Sequence, residues 1–225
     1  MVVPKWCDRW KILPKRSSKW WVPVPLIRGS KDVTSRETSA PYRAALDSPD
    51  AESRWTAARA LAGQADAVPA LAAALGREPT PRVREAMMTA LIRIGNAASI
   101  EVILPYLRSQ DAGLRAAAIE ALQALPEAIA PFMEPLLSDD DSDVRLLATE
   151  LARNMEASEA TRLLCELIER EHHPNVCAAA IDVLTEVGTP EALSTLEKCA
   201  VRFAATPFLP FAISVAMSRI SGAES

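Results

Sequence analysis

The side chains most able to do chemistry gather at one point in the sequence. His172 and His173 are the only histidines among 225 residues, and with Cys165 and Cys177 they form Cys-x6-His-His-x3-Cys. Zinc sites bring two ligands close together on each side of a loop, so this spacing does not match and no metal ligand is assigned. The chain has no Gly-x-Ser-x-Gly, no further histidine to serve a Ser or Cys nucleophile, and no Gly-rich loop to cradle phosphate. No catalytic residue and no cofactor are assigned on this basis. Asp139-Asp140-Asp141-Ser142-Asp143 opens like a calcium loop. It lacks the Gly of the sixth place, and Leu146 stands where a helix has begun, so it reads as a solvated turn carrying a helix cap.

One basic residue returns at regular intervals. Arg54, Arg84, Arg115 and Arg145 follow one another at 30 or 31 residues, and the same place is taken by Cys177 and then Pro210 after 32 and 33 more. A row of arginines could bind anions. At one per repeat, with an Asp four places earlier at Asp50, Asp111 and Asp141, they read instead as structural hydrogen-bonded pairs.

Positioning these residues requires helices in pairs. The pattern is clearest at Val-Arg-Glu-Ala-Met-Met-Thr-Ala-Leu-Ile-Arg-Ile-Gly, residues 83–95. Seven places after each marker stand Leu61, Leu91, Leu122, Leu184 and finally Met217, whereas Leu151 arrives one place early. Each repeat reads as an A helix followed by a B helix. Asp50, Asp111 and Asp141 cap A helices, Pro79 and Pro81 start the second, and His173-Pro174 starts the fifth. Gly95 and Gly188 stop helices, and Thr189-Pro190-Glu191 begins a B helix. Apolar residues recur at helical spacing on both, as in Val83, Met87, Leu91 and Ile94, or Ile100, Ile103, Leu104 and Leu107. Pro105, Pro131 and Pro135 should shorten or kink their B helices. Two helices of this length cannot bury both stripes alone, so neighbouring pairs must stack.

With those residues in view, residues 47 to about 205 resemble HEAT repeats of the short, bilin-lyase-like type. The resemblance implies an all-α fold, an α-solenoid of five to six antiparallel helix pairs over residues 40–225. It implies that B helices line the concave side, and that the usual task is holding other proteins. It also admits a bilin lyase-like, chromophore-handling protein, or less readily a nucleic-acid-binding relative. The last unit, Thr206-Pro207-Phe208-Leu209-Pro210-Phe211, departs from the pattern and reads as an atypical cap over 206–225 or as another contact.

Residues 1–39 are different in kind and read as a basic, Trp- and Pro-rich extended arm and linker. Residues 1–45 hold ten Lys/Arg against three Asp/Glu, and the remainder fifteen against twenty-six. That acidic body argues against nucleic acid, which needs a basic surface. Trp6, Trp10, Trp20 and Trp21 lie in the arm with Lys19 between them, and Trp-Val-Pro-Val-Pro can only be extended or polyproline-like. Trp beside basic residues is the composition of an interface anchor, so these five are assigned to partner binding. From Gly29 to Ser39 the chain reads as linker. Four scattered Cys, no run of 18 apolar residues and no secretory signal point to a cytoplasmic protein.

On the body, the B-helix positions facing away from the core are the surface expected to bind. In the first three repeats these are Ala70, Ala73, Ala74, Val102, Tyr106, Ala130 and Met133. Repeats four and five offer Arg162, Glu166, Glu169, Thr195 and Lys198. Val102, Tyr106, Met133, Arg162 and Glu166 are taken as the contact residues of a groove suited to an extended peptide or amphipathic helix. The function expected is a non-enzymatic protein-binding scaffold or accessory subunit of a larger complex.

Overall fold

The computed structural model describes residues 34–222, which form an all-helical stack with no strand among them. The arm residues Trp6, Trp10, Lys19, Trp20 and Trp21 lie outside the described residues. A first helix, α1 (Thr34–Ala45), precedes the repeats. It replaces the linker expected up to residue 39 with helix from 34 onward. The A helices are α2 (Ala51–Ala60), α4 (Pro81–Ile94), α6 (Ala112–Gln123), α8 (Ser142–Ala152), α10 (Pro174–Val187) and α12 (Leu209–Ile220). The B helices are α3 (Val68–Leu75), α5 (Ala97–Ile103), α7 (Pro126–Leu137), α9 (Ala157–Arg170) and α11 (Leu193–Arg202). A 3-10 turn leads into α3 and α11, and another, Leu104–Arg108, continues α5. Pro105 therefore shortens its helix as expected, whereas α7 runs unbroken through Pro131 and Pro135.

The helices pack in two layers. Each A helix lies against the next A helix, from α2 on α4 through to α10 on α12. B helices follow in the same order, α3 on α5, α5 on α7, α7 on α9 and α9 on α11. The core is the seam between these layers. Leu61, Leu91, Leu122 and Leu184 are fully buried, each contributing about 1.5–3 kcal/mol of transfer free energy. In α8 the seventh place after the marker is Ala152, also fully buried, and Leu151 beside it supplies the missing volume. α12 closes the series through Leu209, Ile213 and Ala216 while Phe211 and Val215 face outward.

Helix starts follow the capping logic. Asp50 accepts from the Ser53 amide at 2.8 Å, Asp111 from Gly113 at 2.8 Å, and Asp141 from Asp143 at 2.9 Å. Two B-helix caps carry the same chemistry: Asn96 accepts from the Ser99 amide at 2.9 Å and Glu156 from Ser158 at 3.1 Å. Of the acids in the run 139–143, Asp140, Asp141 and Asp143 are exposed as expected, and Asp139 alone is half-buried. Asp139 accepts the Asp141 amide at 2.9 Å and pairs with Arg108, whose bond holds its carboxyl below the ordinary range against the opposing pull of burial. Glu150, the twelfth residue when Asp139 is counted as the first, lies within α8 and pairs with Arg153 at 3.2 Å.

The marker arginines stitch the stack. Each sends Nη1 to the carbonyl six residues earlier: Arg54 to Ser48 at 2.9 Å, Arg84 to Glu78 at 3.5 Å, Arg115 to Ser109 at 2.6 Å and Arg145 to Asp139 at 2.7 Å. Cys177 keeps the same bond through its thiol, to the Glu171 carbonyl at 3.7 Å. Three of the four also reach forward to the next repeat. Arg54 clamps Glu78 through Nε and Nη2 at 2.7 and 2.9 Å, Arg145 clamps Glu171 at 2.6 and 3.2 Å, and Arg84 reaches Asp111 at 3.3 Å. Glu78 and Glu171 are only 6% exposed. They stand before the two Pro-started A helices, where no Asp is available as cap. There they accept backbone amides instead: Thr80 to Glu78 at 2.9 Å, His172 and His173 to Glu171 at 2.9 and 2.8 Å.

These bonds set a pH dependence. The Arg54 bond holds the Glu78 carboxyl below its ordinary value against burial, with the Thr80 amide helping. For Glu171, burial pulls upward, but Arg145 and the two histidine amides outweigh it and the net shift is downward. A carboxyl lowered on folding contributes stability that is complete above its unfolded value, about pH 4.3. That contribution is lost as pH falls through the folded value. A Glu78→Gln/Glu171→Gln double variant will therefore show a flatter fall in Tm between about pH 5 and pH 3 than the parent, measured by circular dichroism.

Gly188 ends α10 for a steric reason. It is extended rather than left-handed, unlike Gly95 at φ 60°. Its amide donates to the Leu184 carbonyl at 2.8 Å, so close that a Cβ would lie 2.3 Å from that oxygen and 3.0 Å from Ile220 Cδ1. Gly188→Ala should cost about 2 kcal/mol in urea unfolding. Gly76→Ala, whose nearest neighbour would be the Ala72 oxygen at 3.7 Å, should leave stability unchanged or raise it by up to about 0.5 kcal/mol.

Candidate protein-binding face

The outward rows of the B helices are set by which residues the core claims first. In α7 the inward residues are Ile129, Met133 and Leu137, four apart and all buried. Met133, expected on the binding face, is therefore a core residue with no exposed surface. The reason is helical geometry, since spacing of four keeps 129, 133 and 137 on one side. Outward positions pass to Pro131, Glu134 and Pro135, all exposed. Ala74 and Thr195 are corrected in the same way. Ala74 packs in the core of α3, and Thr195 is buried with its hydroxyl donating to Glu169 at 3.3 Å.

Val102 and Tyr106 are half-buried, one on α5 and the other on the 3-10 turn that continues it. Burial raises the Tyr106 hydroxyl, with Arg84 pulling the other way. Arg162 and Glu166 are both exposed on α9 and are brought together at 2.8 Å. Arg162 also pairs with Glu159 at 2.8 Å and reaches across to Glu134 of α7 at 3.2 Å. Its guanidinium pKa is pushed up chiefly by the Glu159 and Glu166 bonds. Lys198 pairs with Glu169 at 3.7 Å. Arg162, Glu166, Glu169 and Lys198 are thus on the exposed side as expected, whereas of the residues expected at the apolar end only Ala73 is exposed, Ala70, Val102, Tyr106 and Ala130 being half-buried.

The prolines give this face a second property. Pro131 and Pro135 have no amide proton, so neither gives the carbonyl four residues back, of Glu127 or of Pro131, its usual intrahelical bond. Glu101, Glu127 and Glu134 are exposed on the same B layer. The surface is acidic, able to take cationic side chains.

A feature of the A layer escaped the sequence reading. Trp55 of α2 lies between two guanidinium groups, Arg59 at 4.5 Å and Arg82 of α4 at 4.3 Å from its ring. Its signal was the Trp-x-x-x-Arg spacing of one helical turn, masked by the attention drawn to the arm. A hollow of about 730 Å³ lies at the turns before α8 and α10, beside the ends of α7 and α9. Within it Arg145 holds Glu171, and Arg170 donates to Ser138 at 2.7 Å. Exposed His172 and His173 line its rim. Among the described residues no three His, Cys, Asp or Glu side chains are grouped to hold a metal ion. Nor is any helix there long and apolar enough to cross a membrane.

Comparison with known proteins adds the following. A family model described as HEAT repeats matches residues 39–123 and 129–203. No curated protein matches the sequence. Similar solved structures include an engineered protein of a structural genomics consortium, 18% identical with a TM-score of 0.41, covering 82% of this chain and 97% of that one. A designed armadillo repeat protein in complex with the peptide (KR)4 is 18% identical, TM-score 0.40, over 80% and 98%. The complex of CpcE and CpcF of phycocyanin lyase from Nostoc sp. PCC7120 gives 18%, TM-score 0.36, over 90% and 100%.

The two classes of residue on the B helices respond differently to truncation. Met133→Ala should lower the unfolding free energy by about 3 kcal/mol, since it empties a filled core position. Arg162→Ala should change it by less than about 1 kcal/mol, because exposed ion pairs contribute little. Urea titration of both variants checks the assignment.

Proposed function

The chain belongs to the HEAT-repeat family, and from that premise we propose that it is a non-enzymatic protein-binding scaffold or accessory subunit of a larger protein complex. The observation that carries this reading is the exposed B-helix row. Its prolines and glutamates stand clear of a core that is already closed by neighbouring repeats. Such a row suits an extended segment of a partner whose cationic side chains meet the glutamates. The Trp-rich arm, with Trp6, Trp10, Trp20, Trp21 and Lys19, supplies a second contact in the same reading. The absence of catalysis is part of the proposal, and what supports it is that the sequence offers no nucleophile–base pair and no phosphate-cradling loop. A cytoplasmic location fits the free thiols of Cys165, Cys177 and Cys199.

Charge reversal on one layer at a time tests the face. Glu101→Lys/Glu134→Lys on the B layer should abolish recovery of the partners that the parent chain captures from its native source. Glu85→Lys/Glu120→Lys, the same change on exposed A-layer positions, should leave recovery intact. Equal loss in both variants, or none in either, would sink the assignment of the B-helix face.

A further inference from the structure

The joint between repeats three and four is built differently from its neighbours. Arg54, Arg84 and Arg145 each close on an acid of the following repeat, Glu78, Asp111 and Glu171. Arg115 closes on none. Its guanidinium keeps the Ser109 carbonyl at 2.6 Å, and no carboxylate among the described residues lies within ion-pair reach of it. An acid does stand at the matching place, Asp139, six residues before the next marker as Glu78 and Glu171 are before theirs. Arg108 takes that carboxylate instead, through Nη1 at 3.1 Å and through Nη2. What is left at the joint is a pocket of about 380 Å³, lined by the turn before α6 and the first turns of α8, with half-buried Arg115 in its wall. Leu146, Leu147 and buried Val144 supply its apolar side, and exposed Gln110 also lines it.

We propose that this pocket takes one acidic side chain, glutamate or aspartate, from a partner protein, which completes the joint by pairing with Arg115. Guanidinium N–H donors match a carboxylate in geometry as well as charge, and a half-buried pair is screened less than one in open water. The neighbouring joints show what this scaffold does with that group. Arg54 and Arg145 each hold a carboxylate through Nε and Nη2 while Nη1 stays on the turn carbonyl. Arg115 has the same Nη1 bond and keeps Nε and Nη2 for the incoming acid. Two acids also line the pocket and set its selectivity. Asp141 accepts the Asp143 amide at 2.9 Å as the cap of α8, and Asp143 is exposed. Together they repel a doubly charged anion such as phosphate, whereas a carboxylate brings one charge to one arginine. The leucine wall covers the methylenes of a protein side chain, which an inorganic anion lacks. The pocket shares no residue with the B-helix row and selects the opposite charge, so it stands without that row being the binding face.

Titration of the isotope-labelled full chain with N-acetyl-glutamate N-methylamide, followed by NMR, supplies the test. The Arg115 Nε–H signal and the backbone amides of Gln110 and Leu146 should shift and saturate. The N-acetyl-glutamine analogue keeps the shape and loses the charge. It should bind at least about tenfold more weakly, the worth of one charge-assisted hydrogen bond. Inorganic phosphate at the same ionic strength should leave these signals in place. Gln110→Glu changes an exposed residue, leaves Arg115 on its turn carbonyl and puts a carboxylate at the pocket, so it should remove the response. Arg115→Gln should remove it as well. An equal response to the glutamine analogue or to phosphate, undiminished binding by Gln110→Glu, or an unmoved Arg115 signal with every probe would overturn the proposal.

Discussion

A helix pair in this protein has apolar residues on more sides than its own partner can cover. Val83, Met87 and Leu91 of α4 are buried only because α2 and α6 lie on either side of it, and every interior repeat stands in the same position. Stability is therefore distributed along the stack and held at its joints. The arginine markers act at those joints. One end of each guanidinium satisfies a turn carbonyl in its own repeat, and in three of them the rest reaches an acid at the head of the next. Burying such a charge is tolerable only because both partners are bonded on all sides, as Glu171 is by Arg145 and two backbone amides. Register between repeats is what these bonds add to the non-directional burial of leucine.

That division of labour leaves the B layer free to vary on its outer side. The core takes three residues of seven from α5, three of twelve from α7 and six of fourteen from α9, and the turns take the arginines. What remains outward carries no structural duty, so prolines can stand within α7 without loss of the helix. The price of a missing backbone bond falls on a solvent-facing carbonyl, where water or a ligand can make it good. The same freedom accounts for the ion-pair cluster on α9, whose members hold one another and little else.

Repeat five shows what happens when the marker changes type. Cys177 is too short to reach forward to another repeat, and it keeps only the turn carbonyl.

The repeat period, the pairing of helices, the Asp caps and the burial of Leu61, Leu91, Leu122 and Leu184 were legible in the sequence, because each depends on contacts within a turn or two of one helix or on a spacing that recurs. Arg162 and Glu166 were legible as exposed for the same reason. Met133 and Thr195 were not, because which side of a B helix faces inward depends on how it is rotated against its neighbours, and several rotations fit a stripe of small and apolar residues. The grip of Arg54 on Glu78 and the stacking of Arg59 and Arg82 on Trp55 join residues 4 to 27 apart along the chain. Local pattern fixes what a helix is; only stacking decides which side chains of different helices come to share one small volume.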